Sequence, residues 1–487
     1  MANQTLYNLQ RNNVSKFLHV FSLYLIVVGL VCSKAMISIG MIIGGASVLM
    51  DPLLKEHMNK WKSNQFLVLI FVFLLLHLIS FTWSSNLDYA LNDLKTKVSI
   101  LVIPLIIISK PLDKEKVKES VIILFLVSLF VTSLINVMCY YQLFGPRTYD
   151  DIRGLSLFGS HIRYSILIAF ACVICVDRLV RKKTNVSISI ILFLWFCFYV
   201  FFSQVLSAYI ALFFGFATFF SYLLMVNKKY RYLFLFVSFV LLFFLSLVAF
   251  IVYPENNADL EINEIELSES WCIKSDIPIH QKDNKNQEIK YTIIRYLHSK
   301  SLPANAEGVS ALTSNDVKNI ENGVADYREL NNGFLSRLYS IRFEYHHAAD
   351  PNGHSLLQRL EYWETGISII KQNWFFGVGS GDVQDAFDQQ YAQSHSKLKL
   401  ENRKRAHNTF LTIWISFGLL GMLFFYYILF YFMTKQWQNK QVLGLVFIVI
   451  MFSTFLFEDT LETQTGITFF SFFYAWFAVG DLAFSRR

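Results

Sequence analysis

The stretch RKRAHNTFLTIWISFGLLG, residues 403–421, sets Arg403, Lys404 and Arg405 ahead of His407 and Asn408 and then continues as an apolar helix to about Met433. An imidazole at the mouth of such a helix can take a proton from a hydroxyl or hydrogen-bond an anionic group. The plainer alternative is an interfacial polar residue at a helix end. The basic run suits a phosphate-bearing lipid head group, with a solvated helical turn as its alternative. Gly418 and Gly421, three residues apart, predict a small-residue face that lets another helix approach closely.

A second group of candidates lies upstream in RLEYWETGISIIKQNWFFGVGSGD. Arg359 presents a planar fork of donors that matches phosphate oxygens, and Trp363, one turn on, would pin it from below. A surface salt bridge to Glu361 or Glu364 is the alternative. Gly377, Gly379 and Gly381 predict a tight turn that exposes its backbone. In DIRGLSLFGSHIRYSILIAF, Arg163 lies inside an apolar run near one end, where an ionisable group is costly and usually faces a polar cavity. Arg153 and His161 accompany it, although Arg153 is equally well read as a loop charge. HHAADPNGH offers His346, His347, Asp350 and His354, but Pro351 and Gly353 interrupt any helix that would align them, so no metal site is expected.

These residues need elements to carry them, and composition says which kind. Of 487 residues, 54% are hydrophobic and 17% aromatic, with 48 Phe, which is too apolar for an ordinary soluble domain. About twelve apolar runs approach the roughly 20 residues that cross hydrocarbon. They lie near 17–33, 36–50, 65–83, 95–109, 119–143, 157–177, 186–203, 205–226, 231–253, 408–433, 441–458 and 463–483. The first run lacks a small-residue cleavage site and is followed by further spans, so it reads as a signal anchor. Alternate connections hold Lys55, Lys60 and Lys62, then Arg178, Arg181 and Lys182, then Lys435 and Lys440, whereas the last outer connection carries Glu458, Asp459 and Glu462. The positive-inside rule then puts both termini in the cytoplasm and the long insert outside. The net charge of +7 follows from this topology and gives no reason to expect nucleic acid as a partner. Of six cysteines only Cys272 lies in the insert, so no internal disulfide is expected there.

The expected fold class is an all-α polytopic membrane protein in three parts. Residues 1–253 form a bundle of about nine helices, 254–407 a large outer loop, and 408–487 a final segment of about three helices. The first part of the loop, PENNADLEINEIELSES and QKDNKNQEIK, is polar and predicts extended or loosely ordered chain. Its second part predicts an amphipathic helix near 355–373, with Leu356, Leu360, Trp363, Ile367 and Ile370 on one stripe.

With those motifs in view, AHNTFLTIWISFGLLG resembles the signature that opens the C-terminal membrane segment of the bacterial O-antigen ligase and polymerase superfamily. RLEYWETGISIIKQNWFFGVGSGD is similar to the same family's arginine, tryptophan and Gly-x-Gly pattern, and the topology agrees. The resemblance implies a fold in the manner of GT-C-like lipid-dependent glycosyltransferases, in a bacterial inner membrane, with the loop in the periplasm. It implies transfer of a glycan from an undecaprenyl-pyrophosphate carrier to an acceptor hydroxyl, on lipid A-core or another glycan, with neither cofactor nor metal. Carried over by motif, Arg359 would bind the pyrophosphate and His407 would activate the acceptor, supported by Asn408, Arg405, Trp363, Gly377 and Gly379. One departure stands out. Many members carry an arginine in a span before the loop, where this chain has Ser207-Ala208-Tyr209. Arg163 is the expected substitute, since a leaving group with two negative charges in low dielectric needs more than one cation.

The His-Asn signature favours a ligase, with an O-antigen, capsular or exopolysaccharide polymerase as the alternative and a protein-glycosylating relative as another branch. A transporter of lipid-linked sugars is the rival from a different class. Transporter charges gather near the midplane, whereas these candidates gather at the outer face. A non-catalytic assembly partner would give no reason for His407 and Arg359 to flank one cavity.

Overall fold

The computed structural model describes residues 2–110, 115–145, 152–182, 186–253, 262–284, 287–330, 333–347, 350–352 and 354–484. Among the described residues the chain is helical throughout, apart from one isolated antiparallel bridge between Lys282 and Glu288. The first bundle comprises α1 (Ala2–Cys32), α2 (Lys34–Leu49), α3 (Leu54–Ser63), α4 (Gln65–Ser80), α5 (Leu87–Lys97), α6 (Ser99–Ser109), α7 (Glu115–Tyr140), α8 (His161–Val180), α9 (Val186–Ser203), α10 (Leu206–Val226) and α11 (Tyr230–Val252). An insert of shorter helices follows: α12 (Glu264–Lys274), α13 (Ile289–Ser299), α14 (Ala306–Ser310), α15 (Ser314–Glu321), α16 (Gly333–His347), α17 (Ser355–Gln372) and α18 (Val383–Gln393). The last three helices are α19 (Thr409–Gln438), α20 (Val442–Phe457) and α21 (Gln464–Phe484).

A helix lies in each of the twelve apolar runs, but length and composition separate them. Six described helices are long and apolar enough to cross a membrane, or seven if the pair α2 and α3, bent by 111°, is one span. That makes the chain a polytopic membrane protein and leaves the expected count of twelve spans open. The helix α6 has only 11 residues, with Pro104 inside it, and is buried nearly all round against α2, α3, α4 and α21. At the other extreme, no side chain of α11 is buried in the protein, as expected of a helix facing hydrocarbon.

Packing inside the bundle is aromatic. Phe170 meets Phe473 with ring centroids 5.0 Å apart, and Phe447 meets Phe469 at 5.5 Å, both edge-on. Lipid offers apolar groups no reason to leave it, so such fitted contacts and a few polar pins hold the helices together. The hydroxyls of Thr132 and Tyr164 pair at 2.7 Å, and the Asn136 amide donates to the Tyr199 hydroxyl at 3.0 Å.

Two departures from the sequence-based expectation position the site. Continuous periodicity predicted one apolar helix over 408–433, but Gly418 has φ 68 and ψ −167, and the helix breaks there. A straight helix would separate Phe410 from Tyr426 by roughly 24 Å. Their rings instead stack at 4.9 Å, so the two halves of α19 fold back on each other at Gly418. Residues 419–438 alone, roughly 30 Å long, suffice to cross hydrocarbon. The segment 374–379 fills the break: Val378 N–H donates to Ile415 O at 2.7 Å, Gly379 N–H to Ser416 O at 3.0 Å, and Leu419 N–H to Trp374 O at 2.9 Å. Gly418 therefore serves a backbone crossing and not the helix-packing face expected of Gly418 and Gly421. A Cβ at Gly418 would lie 1.9 Å from the Phe375 carbonyl oxygen.

The second departure is the first part of the insert, where PENNADLEINEIELSES and QKDNKNQEIK predicted extended or loosely ordered chain. Residues 262–284 and 287–330 instead form helices around their own core, with Leu267, Trp271, Ile293, Tyr296, Leu297 and Ile320 buried. Asn263 and Asn305 cap α12 and α14, and Thr313 with Asp316 makes a reciprocal capping box at α15. The apolar residues are sparse in any one window and meet only when α12, α13, α14 and α15 come together. Helix α17 spans the expected residues, but Leu360 and Ile367 are each 45% exposed while Tyr362, Gly366, Ile369 and Ile370 are buried. It has two apolar faces, and the one carrying Gly366 packs against α19 because the missing side chain allows close approach to Ile415 and Phe387.

Candidate functional site

The site forms where the first half of α19, the middle of α17, the start of α8 and the turn 458–463 between α20 and α21 meet. Asn408 caps α19, accepting from Leu411 N–H at 3.1 Å, and its amide donates to Leu456 O at 3.1 Å. The Thr409 hydroxyl donates to Glu458 O at 2.7 Å, and the Thr412 hydroxyl donates to the Asp459 carboxylate at 2.7 Å. These bonds tie the start of α19 to the turn. Between them His407 adopts φ 46, a left-handed conformation rare for a residue with a Cβ, and its backbone N–H donates to Asp459 Oδ2 at 3.1 Å.

Helix α17 approaches from the other side. The Trp363 indole donates to Ala406 O at 3.0 Å, fixing the backbone just before His407, and the Tyr362 ring lies 5.7 Å from the imidazole. Arg359 reaches across to Glu458, Nη2 to Oε1 at 3.1 Å. Its partner is thus neither of the sequence neighbours Glu361 and Glu364, and among the described residues it makes no cation–π contact with Trp363; the indole is taken up by Ala406 and Phe457.

Arg163, in the first turn of α8, faces the same carboxylate electrostatically, together with Asp459. Its Nε is buried without a hydrogen-bond partner, and it lines a cleft with Ile166, Thr454 and Thr460. Glu458 is therefore bonded to Arg359 and also feels the charge of Arg163, 196 positions earlier in the chain than Arg359. Burial pushes the Glu458 carboxyl above its ordinary range, and Arg359 and Arg163 offset this only in part. The His407 imidazole is held below its ordinary value, first by burial and then by Arg359, Lys404 and Arg405, with Asp459 opposing. Neutral imidazole is the form a general base requires.

The remaining predicted residues separate from this centre. Arg405 turns inward to Glu462, Nη1 to Oε2 at 3.2 Å, so it is a structural ion pair and not a free cation at the mouth. Glu462 also receives Lys97 Nζ at 2.9 Å, and Lys97 pairs with Asp93 at 2.5 Å. Burial would raise the Glu462 carboxyl, but Lys97 and Arg405 outweigh it and hold it well below the usual range. Arg403 donates to Leu398 O at 3.2 Å and Lys404 is exposed, which divides the basic run three ways. The N–H groups of Gly377 and Gly379 go to Asn373 O and Ser416 O, and that of Gly381 to the Ser84 hydroxyl, so this turn presents no open row of donors to an anion. Asp382 closes its far side by accepting from Ser85 and Asn86 N–H. The Arg153 side chain lies outside the described residues, as does that of His347. His346 donates to Ile251 O, Asp350 accepts from the Tyr291 hydroxyl, and His354 packs against the Tyr291 and Phe343 rings, so these three do not converge.

A family model described as O-Antigen ligase matches residues 190–426. That match, over just under half of the chain, supports a place in the O-antigen ligase and polymerase superfamily. No curated protein matches it. The matched span contains Arg359 and His407, while Arg163, Lys97 and the acidic turn lie outside it. The match supports a function of the O-antigen ligase or polymerase type in general, with a lipid-linked glycan and a polysaccharide acceptor. At the place where Ser207-Ala208-Tyr209 opens α10, Ala208 is buried and no cation is present. Sequence reading missed Glu458 and Asp459 as site residues. They served only to orient the chain, although acids clustered at the end of an apolar helix opposite an expected arginine pair were a usable signal.

Proposed function

We propose that the protein is an O-antigen ligase-like glycosyltransferase that moves a glycan from an undecaprenyl-pyrophosphate carrier to an acceptor hydroxyl, on lipid A-core or a similar glycan. The observation that carries this reading is the ion pair of Arg359 with the buried Glu458, whose carboxylate also feels the charge of Arg163, next to the turn that holds His407 in a left-handed backbone conformation. Guanidiniums around one buried anion suit the diphosphate, and the imidazole nearby suits the acceptor hydroxyl.

In the proposed step the acceptor oxygen attacks the anomeric carbon and its proton passes to His407 Nε2 or Nδ1. The bond from the anomeric carbon to the phosphate oxygen breaks, its electron pair leaves with the carrier diphosphate, and the arginines offset the charge that builds there. A single displacement inverts the anomeric centre. Asn408, Trp363 and the turn through Gly377 and Gly379 act by holding His407 and the break in α19 in place. The reading puts both termini in the cytoplasm of a bacterial inner membrane and the insert 254–407 in the periplasm, with 1–253 and 408–487 as the membrane parts.

The test is His407→Ala in the native host, with normal membrane abundance confirmed and surface glycan and carrier-linked precursor separated on a gel. The expected result is loss of surface glycan by about 10²- to 10⁴-fold with precursor accumulating. Long unattached chains would mark a ligase and single unattached repeats a polymerase. Unchanged glycan would overturn the role of His407. Arg163→Ala is expected to slow transfer, and transfer at the parental rate would remove it from the anion site.

A further inference from the structure

The anion site is already occupied by a group of the chain's own. Glu458 directly follows α20, and its backbone is fixed at both ends: its N–H donates to Thr454 O at 2.9 Å and its carbonyl accepts from the Thr409 hydroxyl at 2.7 Å. The side chain is under no such restraint. It is only 7% exposed, yet among the described residues its one hydrogen bond to a cation is the contact with Arg359 at 3.1 Å, a one-point arrangement and not a fork. Arg359 is 31% exposed, and Arg163 Nε has no hydrogen-bond partner among the described residues. Each guanidinium is built to donate several hydrogen bonds, so the pair is under-used by the carboxylate that now neutralises it.

Two cations next to hydrocarbon need a counter-charge when no ligand is present, because an unpaired buried charge is costly. We infer that Glu458 is a built-in competitor for the Arg359 and Arg163 pair, holding the anion site when it is empty, yielding it to the phosphate groups of a lipid-linked donor, and reclaiming it as the diphosphate departs. This rests on the proposed function. The exchange needs only a side-chain rotation, because the Glu458 backbone stays pinned to Thr409 and Thr454. A phosphate group wins by carrying more charge and matching the planar fork at two points. The carboxylate in turn lowers the affinity for donor and product alike, which favours release after transfer.

A competitor has a signature that neither a structural nor a catalytic residue shares: its removal tightens binding. The experiment is binding of inorganic pyrophosphate to the purified full-length protein in lipid nanodiscs, for the wild type, Glu458→Gln and Arg359→Ala. Glu458→Gln is expected to tighten pyrophosphate by about tenfold, the worth of one charge-assisted hydrogen bond no longer broken. In turnover with a lipid-linked donor it is expected to lower KM without raising kcat. Unchanged or weaker pyrophosphate binding by a folded Glu458→Gln protein overturns the inference. If that variant does not accumulate, Glu458→Asp, whose shorter side chain falls short of Arg359 from the same pinned backbone, is expected to tighten binding in the same direction. Arg359→Ala separates the two levels. Pyrophosphate binding that is indifferent to Arg359 overturns the anion-site reading itself, whereas Arg359-dependent binding that Glu458→Gln fails to tighten overturns only the competitor.

Discussion

Glu458 and Glu462 stand at the two ends of one short turn, and the chain treats them in opposite ways. Glu462 receives two cations, Lys97 at 2.9 Å and Arg405 at 3.2 Å, and Lys97 is closed off in turn by Asp93. Among the described residues Glu458 receives one bond, from Arg359, and feels the charge of Arg163, whose Nε has no hydrogen-bond partner. The first is a closed network with opposite charges in balance; the second leaves donors unspent. The difference teaches that a buried acid near a membrane surface is not by itself a functional signal. What matters is whether the cations around it have donors left over.

The largest expected effect comes from breaking the closed end. Lys97→Met leaves Asp93 and Glu462 buried with only Arg405 between them, and it is expected to cost about 3–5 kcal/mol of stability. Thermal unfolding in detergent checks this, and a variant as stable as the parent would show that the network is not structural. Next comes the open end. Arg359→Ala is expected to reduce transfer by about 10- to 100-fold, the worth of one charge-assisted contact, while changing stability by less than about 1 kcal/mol, since the guanidinium is partly exposed. Equal losses of stability at the two ends would erase the contrast.

The Glu458 end leans on the first half of α19, through Thr409 and Thr412. Gly418→Ala places a Cβ 1.9 Å from the Phe375 carbonyl at φ 68 and is expected to cost at least about 1–3 kcal/mol through backbone strain alone. Wild-type membrane abundance and unfolding temperature in that variant would mean the helix can run straight through position 418. The smallest effect concerns Asp459, whose carboxylate raises the His407 value against burial and the nearby cations. Asp459→Asn keeps an oxygen for the His407 N–H but removes that charge, so the imidazole loses its proton more easily. A base works in its deprotonated form, so the acid limb of the pH–rate profile is expected to move to lower pH. A limb that stays in place or moves upward would exclude His407 as the titrating base.

Much of this molecule was legible in the residues themselves. Apolar runs placed twelve helices, because burial in lipid acts on each run locally, and the amphipathic pattern placed α17 over 355–372. The family pattern singled out Arg359 and His407. Legibility failed where partners are distant or periodicity misleads. Helical spacing continues unbroken through Gly418, yet the chain reverses there because 374–379 supplies the hydrogen bonds the break gives up. The insert core was invisible because Trp271, Ile293 and Ile320 sit on three different helices. Arg405 looked like the cation nearest to His407, but its acid partner lies 57 residues away and turns it inward.

By itself, then, the sequence determined an all-helical membrane chain, an insert between its ninth and tenth apolar runs, and an arginine and a histidine of suitable chemistry in the second part of that insert and at its end. Those properties depend on residues within one or two helical turns of one another. The tertiary structure alone decided that Arg359 pairs with Glu458 within reach of the Arg163 charge, that Lys97 and Arg405 are spent on Glu462, and that α19 folds back at Gly418. Charge pairing is settled by distance in space, and between side chains so far apart in the chain only the packing of helices sets that distance.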